Sequence, residues 1–309
     1  MKFYRLLLII PLMILLGCND YSLQDPFKGP NGLYGYKDGD GKIRVKAKYQ
    51  KADSFWGDFA RVWLNGKEGL IDKTGKEVVP PKYDDVENFY EGFAKVILDG
   101  KKGIVDKRGK EVVPPKYDDV RFFSEGLTAV NIGGYITGKW GFVNKRGKEV
   151  IELKYDDVRF FSEGLAAVRL GDMFTGKWGF IDKKGKVVIE LKYVLVGYFH
   201  EGLAEVKLGD LVTGKWGFID QQGKEVIELK YDDAQGFSGG LARVRLDGKW
   251  GFIDQQGKEV IELKYDALWY FSEGLAKVKL YDKEGFVDKK GNEYWDMTED
   301  QARQQMKNR

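Results

Sequence analysis

A seven-residue segment, Gly176-Lys177-Trp178-Gly179-Phe180-Ile181-Asp182, returns whole or worn down seven more times, and no other feature of the chain constrains its fold as strongly. Counted on the glycine of the Trp-Gly pair, the copies fall at Gly35, Gly69, Gly103, Gly141, Gly179, Gly217, Gly251 and Gly285, in steps of 34 or 38 residues. A fixed period of this size means that each unit is one supersecondary element, whose apolar face is buried only by stacking on its neighbours. The 309 residues are therefore expected to form one array over 31–296, not the two or so domains that length suggests.

Each repeat carries three strand signals. In Leu241-Ala242-Arg243-Val244-Arg245-Leu246, apolar and charged residues alternate with the period of a half-buried strand. Asp247-Gly248 then favours a two-residue hairpin turn into the Trp-Gly-Phe-Ile-Asp strand. That strand ends at an Asp-x-x-Gly turn such as Asp182 to Gly185, whose aspartate is expected to accept a backbone amide. The third strand, as in Glu225 to Tyr231, carries Pro80-Pro81 or Pro114-Pro115 in two copies and so belongs at a sheet edge. An irregular link follows in seven copies, each with a Tyr and a Phe six residues apart, Tyr193/Phe199 among them. Rings this large and this regular are expected to form the seam between successive units. The fold class expected is all-β: about seven three-stranded antiparallel β-meanders stacked as an open-ended array, with a closed seven-bladed β-propeller as the alternative.

The ends read differently. Lys2 and Arg5 precede an apolar run from Leu6 to Leu16, then Gly17 and the single cysteine, Cys18. Eleven apolar residues are too few to span a bilayer, whereas a charged start, a short apolar run and small residues describe an export signal over 1–17. Leu15-Leu16-Gly17-Cys18 resembles the lipobox of bacterial lipoproteins. That resemblance implies lipidation of Cys18, and more than one acyl chain makes anchoring stable. Residues 18–30, with Asp25-Pro26 and Gly29-Pro30, read as a tether. At the other end 297–309 reads as a short polar helix or tail opening on a capping box, Thr298 to Gln301.

The repeated Gly-Lys-Trp-Gly-Phe-Ile-Asp, with Gly-Lys-Glu-Val-Ile and Lys-Tyr-Asp after it, closely resembles the WG-repeat (KWG repeat) family of bacterial proteins. The resemblance covers nearly all of the chain beyond residue 30 and implies no shared catalytic residues. Glu68, Lys102, Glu284 and Tyr34 depart from it at the Trp position.

Because that position accepts charge, it is expected to be partly exposed, with Trp140, Trp178, Trp216 and Trp250 forming a ladder. Three consecutive long hairpins, 132–139, 170–177 and 208–215, lie beside the first three and carry Tyr135 and Phe174. Insertions at one place in adjacent repeats project from one face, so these six aromatics are the candidate partner-binding residues. The lone histidine, His200, has no partner pattern for catalysis, and the Asp-Asp pairs would face opposite ways on a strand. No metal site, cofactor or enzyme activity is expected. With 51 basic and 48 acidic residues spread evenly, the balance gives no nucleic-acid partner. The function expected is a lipid-anchored binding or scaffold protein of the bacterial cell envelope, for a protein or glycan partner. The alternatives are a structural spacer, or an accessory subunit of an envelope enzyme or transporter.

Overall fold

The computed structural model describes residues 23–308, excepting the side chains of residues 23, 24 and 135. The expected export signal over 1–17 and Cys18 lie outside the described residues. Eight small antiparallel sheets of three or four strands follow one another in tandem. They fall into two compact units, one reaching to Asp99 and including Val105–Lys110, the other made of Gly100–Ile104 and Glu111–Arg309. Among the described residues no strand is shared between sheets, and neither unit, taken by itself, closes into a barrel or propeller.

The meander appears as the residue pattern dictates, and the link adds a strand to it. The sheet of Trp178 consists of Asp157–Val158, Leu165–Leu170, Lys177–Asp182 and Val187–Tyr193 in that order. The two-residue strand is the part that the irregular link conceals, because two residues are too few to show a period. Glu77–Tyr83, which contains Pro80-Pro81, is an edge strand, where a missing N–H breaks no ladder. Leu23–Lys28 corrects the tether: it pairs antiparallel with Tyr34–Asp38 and makes the first sheet three-stranded. Pro26 is tolerated there because this strand, too, lies at an edge.

The Trp-Gly glycine has a steric cause. Trp178 pairs with Tyr193 but Phe180 with Ile189, so the third strand bulges toward Gly179. A Cβ on Gly179 would stand 2.5 Å from the Ile189 carbonyl oxygen, so no other residue fits. Gly185, ending the following turn at φ +82°, uses the left-handed backbone that glycine reaches at least cost. Asp182 Oδ1 accepts both Lys184 N and Lys186 N at 2.9 Å, the amide capture expected of that aspartate.

Burial departs from the half-buried expectation in the middle of the second unit. Leu165, Ala166, Ala167 and Val168 are all buried, because each sheet there is covered on both faces by its neighbours. One core joins Leu165, Ala167, Trp178, Phe180, Ile189 and Tyr193 of one repeat to Val196, Phe199, Ala204, Val206 and Ile219 of the next. The pairs Tyr155/Phe161, Tyr193/Phe199 and Tyr231/Phe237 thus wedge between consecutive sheets, as their spacing implies. Phe180 meets Phe199 edge-on at 4.9 Å, and Phe142–Phe161 and Phe218–Phe237 repeat the contact at 5.0 and 4.9 Å. Polar bonds cross the same seams: Ser162 Oγ donates to Phe199 O at 2.7 Å, and Gly202 N donates to Glu163 Oε2 at 3.0 Å.

After the last strand, helix α2 (Glu299–Lys307) begins at Thr298, whose Oγ1 accepts Gln301 N while its own N–H donates to Gln301 Oε1. Buried Ala302 and half-buried Met306 pack with Leu275 and Tyr294, so the helix covers apolar surface of the last repeat.

Candidate functional site

The tryptophans are less available than the sequence implies. Trp140 and Trp178 are each only 7% exposed, and Trp216 and Trp250 are half-buried, so the expected exposed ladder is corrected. The inference from charge fails because the charges at that position are paired. Glu68 accepts Trp63 Nε1 at 2.7 Å and Val86 N at 3.2 Å, and Lys102 donates to Asp119 at 2.7 Å. At Trp140, Trp178 and Trp250 guanidinium groups lie over the ring. Arg121 lies 4.4 Å from the Trp140 ring, Arg159 and Arg169 lie 5.4 and 5.6 Å from Trp178, and Arg243 lies 4.6 Å from Trp250. These contacts hold rings that already belong to the seams.

The long hairpins, by contrast, carry apolar side chains into solvent. Ile136, in the single turn α1 (Gly134–Thr137), is 93% exposed; Phe174 is 71% and Val212 87% exposed. Met173 is exposed beside Phe174, and Ile132, Leu170 and Leu208 are exposed at the hairpin bases. Tyr135 shares α1, but its side chain lies outside the described residues. Two of the tips are rigidly shaped. Asp172 Oδ1 accepts Phe174 N and Thr175 N at 2.7 and 2.8 Å, and Asp210 Oδ1 accepts Val212 N and Thr213 N at 2.8 and 2.7 Å. The Thr213 hydroxyl, followed by the Thr213 and Val212 amides, holds the Asp210 carboxyl down at about 2, and the Thr175 hydroxyl with the Thr175 and Phe174 amides lowers that of Asp172. The loops are legible from their length, but the tip residues Ile136, Met173 and Val212 are not, since single apolar residues in a loop carry no period.

No group of three or more His, Cys, Asp or Glu able to hold a metal is found among the described residues. The Asp-Asp pairs are engaged: Asp156 takes Lys139 Nζ and Gly171 N, while Asp157 faces Arg121 and Arg169. His200 is exposed and stands at the rim of a cavity of about 340 Å³, with Tyr198, Glu205, Gly236 and Phe237 among its walls.

The repeat signature settles the family. The model of the WG containing repeat matches seven times, at residues 34–67, 69–101, 103–135, 140–174, 178–211, 216–250 and 250–283. The chain belongs to the WG-repeat family. Each matched WG repeat opens on the Trp-Gly strand, so a family repeat begins inside one sheet and ends in the next. No curated protein matches the chain. Among solved structures, the WG-repeat array is similar to a eukaryotic initiation factor, at 12% identity over 88% of this chain and 90% of that one, TM-score 0.48. It is also similar to Porphyromonas gingivalis dipeptidyl peptidase 4, at 10% identity over 92% of this chain and 61% of that one, TM-score 0.45. Kluyveromyces lactis Hsv2p is similar at 12% identity over 77% of this chain and 92% of that one, TM-score 0.40. Likenesses this distant carry no activity to the WG-repeat chain.

Proposed function

We propose that the WG-repeat array is a non-enzymatic binding or scaffold body, held at a bacterial envelope through lipid on Cys18, which offers the tips of its three long hairpins to a protein partner. The supporting observation is the exposure of Ile136, Phe174 and Val212 at corresponding tips in three consecutive repeats. Single exposed apolar residues are ordinary, but an apolar tip on each of three successive insertions is the kind of surface that marks an interface. The carboxylates of Asp172 and Asp210 fix the loops before any partner arrives, which lowers the entropy lost on binding. A protein groove suits these tips better than a glycan does, since the rings that would stack on sugars at Trp140 and Trp178 are buried.

A photo-crosslinking residue placed at Phe174 in intact cells tests the reading. A discrete protein adduct is expected, and it should disappear when Ile136 and Val212 are changed to Ser. Adducts formed equally from a residue placed at Lys184, in a turn beyond the Trp178 strand, would count against it. The anchor has its own test: Cys18→Ser should leave the chain without lipid by mass spectrometry and release it from membranes.

A further inference from the structure

Successive links place one residue, five after the seam tyrosine, in register from repeat to repeat: Phe122, Phe160, Tyr198, Gly236 and Tyr270. Phe160 and Tyr198 stack with centroids 5.2 Å apart and planes 9° from parallel. The Arg159 guanidinium lies 5.2 Å from the same Tyr198 ring. At the next seam both partners are gone, because Gly197 stands where Arg159 would be and Gly236 where Tyr198 would be. The cavity of about 340 Å³ opens there, against Tyr198 and Phe237. In the other unit the register position holds Asn88, and a cavity of about 490 Å³ lies beside it. Loss of the ring and presence of a cleft thus coincide twice.

Of the two clefts, the one at Tyr198 has a buried carboxylate oxygen without a partner in its wall. Glu205 stands where neighbouring repeats have Ala129 and Ala167, with its carboxyl laid over Gly197. Its Oε2 is buried and has no hydrogen-bond partner, a costly arrangement for a carboxylate. We propose that this cleft binds a ligand group made of a flat ring bearing a planar cation, an arylamidine or arylguanidine, with the cation on Glu205 and the ring in the place Gly236 leaves beside Tyr198. Such a group restores both missing partners: guanidinium-type donors match a carboxylate, and the ring takes up the interrupted stack. Burial pushes the Glu205 carboxyl up to about 7, with Arg159 drawing it down, so a bound cation would relieve a strained charge. This proposal does not rest on the hairpin tips, and a failure of either leaves the other standing.

Benzamidine is the probe and benzamide its neutral counterpart, with binding read by calorimetry or ligand-observed NMR on the whole chain. Saturable benzamidine binding is expected, with benzamide at least about tenfold weaker, the scale of one lost charged hydrogen bond. Glu205→Ala and Gly236→Tyr each install a residue that a neighbouring repeat carries in register, and each should weaken benzamidine at least about tenfold while the circular dichroism spectrum is kept. Absence of saturable binding, equal affinity for benzamide, or unchanged affinity in both folded variants would overturn the proposal.

Discussion

The Glu205 carboxyl occupies the space that a side chain on Gly197 would need: a Cβ there would stand 2.0 Å from Glu205 Cδ. The two positions are coupled, since the neighbouring repeat carries Arg159 and Ala167 in the same places. Gly197→Arg alone is overpacked and should cost about 1–3 kcal/mol. Paired with Glu205→Ala it recreates the neighbouring arrangement, and most of that loss should return. A double-mutant cycle by urea unfolding checks this, and additive losses would contradict it.

Glu205 also predicts an unusual dependence on pH. Its carboxyl rises from 4.5 to about 7, chiefly through burial, against the pull of Arg159. Between those values the folded chain keeps a proton that the unfolded chain releases, so this group's contribution falls as pH rises from 4.5 to 7 and stays low above. Glu205→Gln cannot ionise and should escape the loss, gaining on the wild type by about 3 kcal/mol between pH 4 and pH 8, at 1.36 kcal/mol per unit. His200, Glu201 and Tyr198 line the same cavity in both proteins, so the difference between the two isolates position 205. A stability difference that does not change between pH 4 and pH 8 would refute the assignment.

The seam rings carry a third prediction. Phe199 is buried by Phe180 of the preceding repeat, and its carbonyl also takes the Ser162 hydroxyl. Phe199→Ala should cost about 3–5 kcal/mol. In a repeat array stability is a sum of unit and interface terms, so that loss falls on one junction. Unfolding should broaden or split into two steps by calorimetry, whereas Ser162→Ala should cost only about 1 kcal/mol and leave one transition.

These particulars show where the sequence was legible. Period, strand order, edge prolines and the Tyr/Phe seam were readable because each is repeated, and repetition turns weak local preferences into a strong common one. The short strand Asp157–Val158 was not, since two residues hold no period, and Leu23–Lys28 was hidden by its proline. The exposure of the Trp position was not legible for a different reason. Charge at the Trp position signalled exposure only on the assumption that Glu68 and Lys102 had no partners, and both have them. The Gly197, Glu205 and Gly236 departures were visible in the aligned repeats. Their meaning depends on the fold, which brings Gly236 of the next repeat to the cleft that Glu205 lines, with the Glu205 carboxyl lying over Gly197.

Burial therefore separates two sets of residues that the sequence placed together. Trp178 lies in the seam core with Arg159 and Arg169 over its ring, so Trp178→Ala should lose about 3–5 kcal/mol and any binding loss would be confounded by unfolding. Phe174 and Val212 stand in solvent on loops held by Asp172 and Asp210. Changing both to Ser should alter stability by no more than about 0.5 kcal/mol each, the usual range for surface sites. Binding of a hydrophobic dye should fall in that variant if the tips form the apolar surface, with the thermal midpoint unchanged. A large drop in the midpoint would instead mean that the tips pack against the array, and the hairpins would then be part of the core and not a place for a partner.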